Sequence, residues 1–186
     1  MKDDILDRNL MDFEDEFPLE YAGFWIRLGA SFLDFLILIP VYVLNIYNIL
    51  SVKSTLLMIF LTFIGFLYKP LLESMKSATF GKMALGLKVI NENRKSISPS
   101  QAWIRYFPWI ITSVFSFLDL LLKFQDPMFG DIDGFMEIQL LKSNGTIQLM
   151  STISSFAFLI LVGSLAFDQY KQGFHDKAAE TFVIKV

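Results

Sequence analysis

The chain has 186 residues, 54% of them hydrophobic, and its formal net charge at pH 7 is −3. Its mean hydropathy of +0.49 is above that of an average soluble domain, which argues against a soluble globular fold. The chain has no cysteine and one histidine, which excludes a disulfide framework and a thiolate metal site. We predict no metal, no cofactor and no nucleic-acid partner.

Residues 1–20 form an acidic segment, with eight Asp and Glu residues against Lys2 and Arg8. A segment with this much charge buries little apolar surface, so we predict a flexible N-terminal tail. A secretory signal peptide begins with a positively charged region, which is missing here, and the first apolar helix is therefore expected to direct membrane insertion. The remaining residues, 21–186, are predicted to form one transmembrane domain.

Four apolar runs are long enough to cross a hydrocarbon core of roughly 30 Å at about 1.5 Å per residue. They cover residues 24–47, 55–72, 103–124 and 147–167. The second run is expected to end near Lys69-Pro70, at the membrane interface. The pattern predicts an all-α membrane protein with a four-helix transmembrane bundle.

Lysine and arginine residues set the predicted orientation of this bundle. If both chain ends lie in the cytoplasm, 13 of the 16 basic residues fall on the cytoplasmic side, and only Lys53, Lys123 and Lys142 lie outside. Inner loops of membrane proteins are enriched in basic residues. We therefore predict that the N-terminus and the C-terminus are both cytoplasmic.

A small cytoplasmic sheet is predicted between and after these helices. Residues 85–98 alternate toward a turn at Asn91-Glu-Asn-Arg-Lys, a pattern typical of a short β-hairpin. The C-terminal residues 181–186 are rich in β-branched and aromatic side chains and are expected to add a strand to the hairpin.

Arg27 and Asp34 are the charged residues of the first predicted helix. At about 100° per residue, their spacing of seven puts them within about 20° on one face and roughly 10 Å apart along the axis. Ser31 and Asn45 are expected on the same face, unless Pro40 bends the helix before Asn45. An ionised carboxylate facing lipid at mid-depth costs about 2.5–3.5 kcal/mol, so we expect this polar face to point into the bundle.

Asp34 allows two interpretations. In the first it is a cation or proton site, because burial favours the neutral acid while a nearby cation favours the carboxylate. In the second, Asp34 and Arg27 hold helices together and mark the depth of insertion. The residue pattern leaves both open.

Three further polar candidates lie near the ends of the predicted helices. His175 and Asp176 are adjacent and are interpreted as a hydrogen-bonded pair, because a metal site would need more than one histidine. Glu73, directly after the second predicted helix, is a supporting candidate. No Ser/His/Asp set and no two-carboxylate site can be assembled from these spacings, so an enzyme is not expected.

Several short motifs follow one another after residue 20. They are Tyr21-Ala-Gly-Phe-Trp-Ile-Arg27 with Asp34, Ala78-Thr-Phe-Gly-Lys82 with Gly86-Leu-Lys-Val89, Arg105-Tyr106, and Gly173-Phe-His-Asp176-Lys with Thr181. Together they resemble the RDD family of membrane proteins, which is named for an arginine and two aspartates. By position, Arg27 and Asp34 match the pair in the first helix of that family, and Asp176 matches its second aspartate.

The chain also departs from the family pattern. It has Phe80 where the family often has proline, Phe174 where leucine is usual, and Glu180 where glycine commonly precedes the threonine. The acidic tail and the predicted outer loop, residues 125–146, lie outside the pattern. None of these departures removes one of the three named charges.

The resemblance implies a multi-pass protein of the bacterial cytoplasmic (inner) membrane, for which transport has been proposed. The hypothesis that follows is exchange of a monovalent cation for protons at Asp34, with Arg27 and Asp176 controlling the inner entrance. Four helices are few to enclose a transport pathway, so a homo-oligomer in the lipid bilayer is expected. The alternative is a non-transporting scaffold or assembly partner in which the charged residues only fix the packing.

Overall fold

The structure is a computed structural model that describes residues 19–141, 144–164, 168 and 171–186. Most of the predicted acidic tail and the last residues of the predicted fourth span, 165–167, lie outside the described residues. The regular elements in chain order are α1 (Phe24–Tyr47), α2 (Thr55–Lys76), α3 (Phe80–Ala84), β1 (Leu87–Asn91), α4 (Pro99–Phe124), α5 (Phe135–Leu140), α6 (Gly145–Gly163), α7 (Phe174–Ala178) and β2 (Thr181–Lys185). A π-helical turn, Asn48–Val52, extends α1, and a 3-10 turn, Pro127–Asp131, follows α4.

Among the described residues, α1, α2, α4 and α6 are long and apolar enough to cross a membrane. Their outward side chains are large and exposed, for example Trp25, Phe60 and Phe156. Such a surface is stable in lipid and costly in water. The prediction of a mostly helical, multi-pass membrane protein is confirmed.

The end of α2 differs from the prediction. The helix does not stop at Lys69-Pro70 but continues to Lys76, with Pro70 inside it. Proline removes one backbone N–H from the helical hydrogen bonds, and Pro70 is fully buried against its neighbours. Ser77 caps the end of the helix, since its φ of 56° is left-handed and its amide donates to the Glu73 carbonyl over 2.9 Å.

The start of α4 lies before the predicted residue 103. Ser98 caps the helix, because its hydroxyl accepts from the Gln101 amide over 3.2 Å and its own amide donates to Gln101 Oε1 over 3.0 Å. This reciprocal capping box and Pro99 in the first turn fix the helix start. Residues 98–101 therefore belong to the start of the helix rather than to a loop.

The predicted sheet is confirmed as a two-stranded antiparallel sheet, in which Val89 lies opposite Val183. Both valines are fully buried. The predicted hairpin is reduced, because beyond β1 its second arm contributes only a single bridge, between Ile90 and Ser96. On the other side of the sheet, the Ala22 amide donates to the Val183 carbonyl over 2.8 Å. Both edges of the small sheet are therefore partly covered by neighbouring backbone.

The sheet brings together three parts of the chain that are far apart in sequence. These are the residues before α1, the segment between α2 and α4, and the C-terminus. Together with α1 and α4 they bury Ala22, Ala30, Leu87, Val89, Ile97, Ala102 and Val183. We call this part of the bundle the sheet end. It holds the first turns of α1 and α4 and the last turn of α2, which carry the polar candidates Arg27 and Glu73.

The opposite end of the bundle is closed by the segment between α4 and α6. Asn48 is fully buried there and bonds Ser54 twice, from its side-chain amide to the Ser54 carbonyl (2.9 Å) and from the Ser54 amide to its oxygen (3.0 Å). A second apolar cluster packs beside this turn, formed by Phe129, Ile132, Ile138 and Leu141 with Ile49, Leu50 and Phe124. Residues 125–141 thus form a packed cap.

Candidate functional site

Asp34 lies in α1, is 2% exposed, and accepts three hydrogen bonds. The Tyr68 hydroxyl donates to Oδ1 over 2.8 Å, and the Gly81 backbone amide donates to the same oxygen over 2.8 Å. The Thr79 hydroxyl donates to Oδ2 over 2.7 Å. One donor comes from α2 and two come from α3 and its cap, so Asp34 joins three helices.

The local sequence of α3 makes this approach feasible. Thr79 is the N-cap of α3, and its hydroxyl oxygen also accepts from the Lys82 amide over 3.3 Å. Two residues later, a Cβ added to Gly81 would lie 2.1 Å from the Ala30 carbonyl oxygen and 2.8 Å from Asp34 Oδ1. Only glycine lets α3 come this close to α1.

The donors around Asp34 are all neutral. In the part of the chain that the structure describes, no lysine or arginine nitrogen lies within ion-pair distance of its carboxylate. Hydrogen bonds from neutral donors can satisfy a buried carboxylate, but they do not cancel its charge. Asp34 is therefore a buried acid that dipoles stabilise without a direct counterion.

A second polar site lies at the sheet end, and we call it the charged cluster. It consists of Arg27, Glu73, Lys82, Arg105 and Asp176. These residues come from α1, α2, α3, α4 and α7, respectively. Three cations face two carboxylates, so the formal charge of the cluster is +1.

Arg27 is the most fully bonded member of the charged cluster. Its Nη1 donates to Asp176 Oδ2 over 2.5 Å, its Nη2 donates to the Lys171 carbonyl over 2.7 Å, and its Nε donates to the Ala22 carbonyl over 3.0 Å. These three contacts tie α1 to the C-terminal segment and to the residues before α1. Arg27 thus connects the three segments that meet at the sheet end.

Arg105 links the two carboxylates of the charged cluster. Its Nη2 lies 3.0 Å from Asp176 Oδ1, its Nε lies 3.2 Å from Glu73 Oε2, and its Nη1 donates to the Thr181 hydroxyl over 3.0 Å. The first two contacts are ion pairs whose N–H groups are not aligned for a regular hydrogen bond. Lys82 Nζ donates to Glu73 Oε1 and completes the cluster.

The electrostatics of α7 follow from this arrangement. Burial alone would raise the pKa of Asp176, but Arg105 and Arg27 lower it, so the carboxylate is ionised at neutral pH. Burial lowers the pKa of His175 to about 4 against the attraction of Asp176, so the imidazole is neutral at pH 7. Burial also lowers the pKa of Lys82, while Glu73 opposes that shift.

The structure places most of the predicted site residues at the sheet end, but in two separate groups. Arg27, Glu73 and Asp176 meet in the charged cluster, and His175 Nε2 lies 3.3 Å from Asp176 Oδ1. Asp34 has its own partners and does not pair with Arg27. The named arginine and the first aspartate are thus on one helix but in different environments.

Two of the supporting candidates do not join either group. Ser31 is exposed, so the prediction that it shares the buried face of α1 is wrong. It is three residues from Asp34, or about 60° around the helix, which is enough to leave the packed face. Asn45 is half-buried, and its Oδ1 has no hydrogen-bond partner among the described residues.

Five contributors were not predicted as site residues, namely Tyr68, Thr79, Gly81, Lys82 and Arg105. Four of them lie inside the motifs that resemble the family, so these motifs indicated the positions without showing their contacts. Lys82 and Arg105 belong to these motifs and to the basic residues of the predicted cytoplasmic side, but the sequence alone assigns them no partner. Tyr68 lies in an apolar run without a motif, and only the folded contact with Asp34 reveals it.

The fold and these two polar sites define a multi-pass membrane protein whose helix ends are joined by buried ion pairs. The sequence model of the RDD family matches residues 21–180, and the chain belongs to this family. It is similar to the uncharacterized protein YxaI of Bacillus subtilis (strain 168), with 30% identity over 142 residues, which are 63% of this chain and 91% of the relative. It is also similar to the uncharacterized protein YckC of the same strain, with 32% identity over 85 residues, or 45% of this chain and 56% of the relative. No solved structure matches the chain.

Proposed function

We propose that this RDD-family protein exchanges a monovalent cation for protons across the bacterial cytoplasmic membrane, and that Asp34 is the group whose occupancy changes. The observation that carries the proposal is the environment of Asp34. It is a buried carboxylate inside a membrane-spanning helix, with three neutral donors and no ion pair to Lys or Arg among the described residues. Ionisable residues in such positions are characteristic of ion and proton pathways.

A carboxylate of this kind suits alternate occupancy. A proton and a monovalent cation carry the same charge, so either one neutralises Asp34 in the low dielectric of the bundle. The hydroxyls of Tyr68 and Thr79 can rotate to accept as well as donate, so they fit both the ionised and the protonated acid. The Gly81 amide only donates, and it favours the ionised form.

The charged cluster has a different role in this proposal. Its carboxylates already face arginine or lysine, so they are assigned to holding the sheet end together beside the entrance to Asp34. The proposal puts the sheet end on the cytoplasmic side, because inner loops of membrane proteins are enriched in basic residues. The proposal includes a homo-oligomer, and α6 has no buried residue within a single copy, so a large apolar face is free for helix contacts.

Reconstituted protein tests the exchange. Proteoliposomes loaded with a pH-sensitive dye receive a pulse of Na⁺ or Li⁺ outside, and exchange would raise the internal pH. We expect this response from the wild type and not from Asp34→Asn. The matched control is Asp131→Asn, the same change at an exposed carboxylate of the cap, which should keep the wild-type response. A wild-type response equal to that of empty liposomes, or full activity in Asp34→Asn, would contradict the proposal.

Orientation can be tested separately because the chain has no cysteine. A single cysteine at the exposed position Lys95 should react with a membrane-impermeant maleimide only after the inner side is opened. A cysteine at the exposed position Asp133 should react in intact cells. The reverse labelling pattern would overturn the cytoplasmic placement of the sheet end.

A non-transporting scaffold is the second candidate function. It is favoured by the close fit around Asp34, where both carboxylate oxygens are bonded and a Cβ on Gly81 has no space. If the protein is a scaffold, the two polar sites only stabilise the fold, and the sheet end binds another protein. Extraction in mild detergent followed by mass measurement separates the two functions. A stable complex with a different protein, together with no cation-dependent flux from the purified chain, would favour the scaffold.

A further inference from the structure

The short helix α3 is the element that connects the two polar sites. From its N-terminal side, the Thr79 hydroxyl and the Gly81 amide donate to Asp34. From the next residue, Lys82 donates to Glu73 of the charged cluster. Three of the four consecutive positions 79–82 therefore contact buried carboxylates, two of them Asp34 and one Glu73.

We infer that α3 positions the donors that set the charge state of Asp34, with Thr79 and Gly81 acting directly and the Lys82–Glu73 ion pair holding α3 in place. The inference deepens the proposed function, on which its role in exchange rests, by naming the residues that control proton occupancy. None of these residues is one of the three named charges of the family.

The geometry supports a positioning role over simple packing. The Gly81 amide has one hydrogen and can only donate, so its contact with Asp34 Oδ1 stabilises the ionised acid. Thr79 is held in place by the Lys82 amide, which donates to the same hydroxyl oxygen that bonds Asp34. Movement of α3 away from α1 would remove two of the three donors of Asp34 at once.

Other ionisable groups also surround this acid. From α2, Tyr68 and Lys69 interact electrostatically with Asp34, whereas Lys82 of α3 bonds Glu73 of α2 instead. Tyr68 bonds Asp34 directly, and Lys69 Nζ lies 4.4 Å from the centre of the Trp109 ring. These groups remain unchanged when Thr79 is altered, so a Thr79 variant isolates the contribution of α3.

Infrared difference spectroscopy of the full chain in lipid measures this charge state without any transport. The C=O stretch of a protonated carboxylic acid is followed as the pH is lowered, and the band that is missing in Asp34→Asn belongs to Asp34. In Thr79→Val, which is nearly isosteric, half-protonation should occur about one pH unit higher than in the wild type, because one hydrogen bond to the charged form is lost. Thr79→Ser keeps the hydroxyl and should restore the wild-type titration.

A separate variant tests whether Lys82 holds α3 in place. Lys82→Gln should shift the Asp34 titration in the same direction by a smaller amount, while Lys76→Gln, a change at an exposed lysine at the end of α2, should leave it unchanged. If Thr79→Val titrates like the wild type, or if Thr79→Ser shifts as far as Thr79→Val, the inference is wrong.

Should Thr79→Val fail to fold, Tyr68→Phe and Lys82→Gln serve as the shifted variants, and wild-type titration in Lys82→Gln then rejects the anchoring role. A shifted titration in a protein without cation flux would remove the proposed function and leave this inference intact.

Discussion

Asp34 and Asp176 are both buried carboxylates, but the groups around them differ in charge. Asp34 accepts from two hydroxyls and one backbone amide. Asp176 lies between the guanidinium groups of Arg27 and Arg105. An acid between two arginines is fixed as an anion, whereas an acid held by neutral donors keeps the capacity to take up a proton or a cation. Under the proposed function, Asp176 has a structural role and Asp34 is the exchangeable site.

The neighbourhood of each acid explains its assignment. Removing Asp176 would leave Arg27 without its ion-pair partner and would leave Glu73 facing Arg105 and Lys82. Neutralising Asp34 would leave only neutral groups bonded to it. The first change creates uncompensated buried charge and the second removes it. Stability measurements on variants therefore distinguish the two sites without an assay of function.

Asp176→Asn is expected to have the largest effect. Loss of the carboxylate leaves Arg27 and Arg105 without their shared partner, and breaking a buried ion pair costs about 3–5 kcal/mol. The free energy of unfolding in detergent micelles should fall by this amount. The control, Glu92→Gln, changes an exposed carboxylate at the same end and should leave stability within about 0.5 kcal/mol of the wild type. Equal stability of the two variants would show that the ion pairs do not hold the sheet end.

Gly81→Ala is expected to have the second largest effect. The free energy of unfolding should fall by roughly 2–3 kcal/mol, because the new Cβ would overlap the Ala30 carbonyl and push α3 away from Asp34. Gly65→Ala is the matched control. Nothing lies within 4 Å of a Cβ added there, and alanine is the better helix former by about 1 kcal/mol. Thermal unfolding of the two variants should therefore change in opposite directions. A neutral Gly81→Ala would mean that α3 does not approach α1 as described.

The next largest effect is a pH dependence of the stability, caused by His175. The pKa of this imidazole is about 4 in the folded protein and 6.5 as its reference value, so the unfolded chain binds the extra proton between these two pH values. Stability is then constant above about pH 6.5 and falls as the pH drops towards 4, with a loss of about 2 kcal/mol at pH 5. The free energy of unfolding at pH 7 and pH 5 measures this loss, which His175→Gln should largely abolish. The same loss in both proteins would assign it to other groups.

The smallest effect is expected from Tyr68→Phe, which removes one of three hydrogen bonds to Asp34 and should cost about 1–2 kcal/mol. Tyr47→Phe, at an exposed tyrosine near the far end of α1, is the control and should be neutral. Chemical unfolding of both variants in the same detergent gives the comparison. If the two tyrosines contribute equally, the hydroxyl of Tyr68 does not bond a buried acid.

Much of the fold could be predicted from the sequence because it depends on local composition. The bounds of α1, Phe24–Tyr47, agree with the first apolar run, and the sheet follows from alternating β-branched residues. The length of α2 could not be predicted from Pro70, because its cost depends on whether the proline packs inside the protein. The packed cap at the far end was missed because its apolar residues are scattered over a polar loop.

The candidate site was only half predictable, for a physical reason. A helical period places Arg27 and Asp34 on one face, but it says nothing about which distant residues meet them. Asp34 finds its partners 34 to 47 positions later, and Arg27 finds its carboxylate 149 positions later. Basic residues at helix ends serve orientation and pairing alike, so the pairing of Arg105 became visible only in the folded chain.

The central claim is that Asp34 exchanges a proton for a monovalent cation while the charged cluster does not. Thermal unfolding of the purified protein in NaCl and in choline chloride tests it directly, because a bound ligand stabilises the folded state. We predict that Na⁺ raises the unfolding temperature of the wild type and has no effect on that of Asp34→Asn. Equal unfolding temperatures in the two salts for the wild type, or the same Na⁺ effect in Asp34→Asn, would contradict the account.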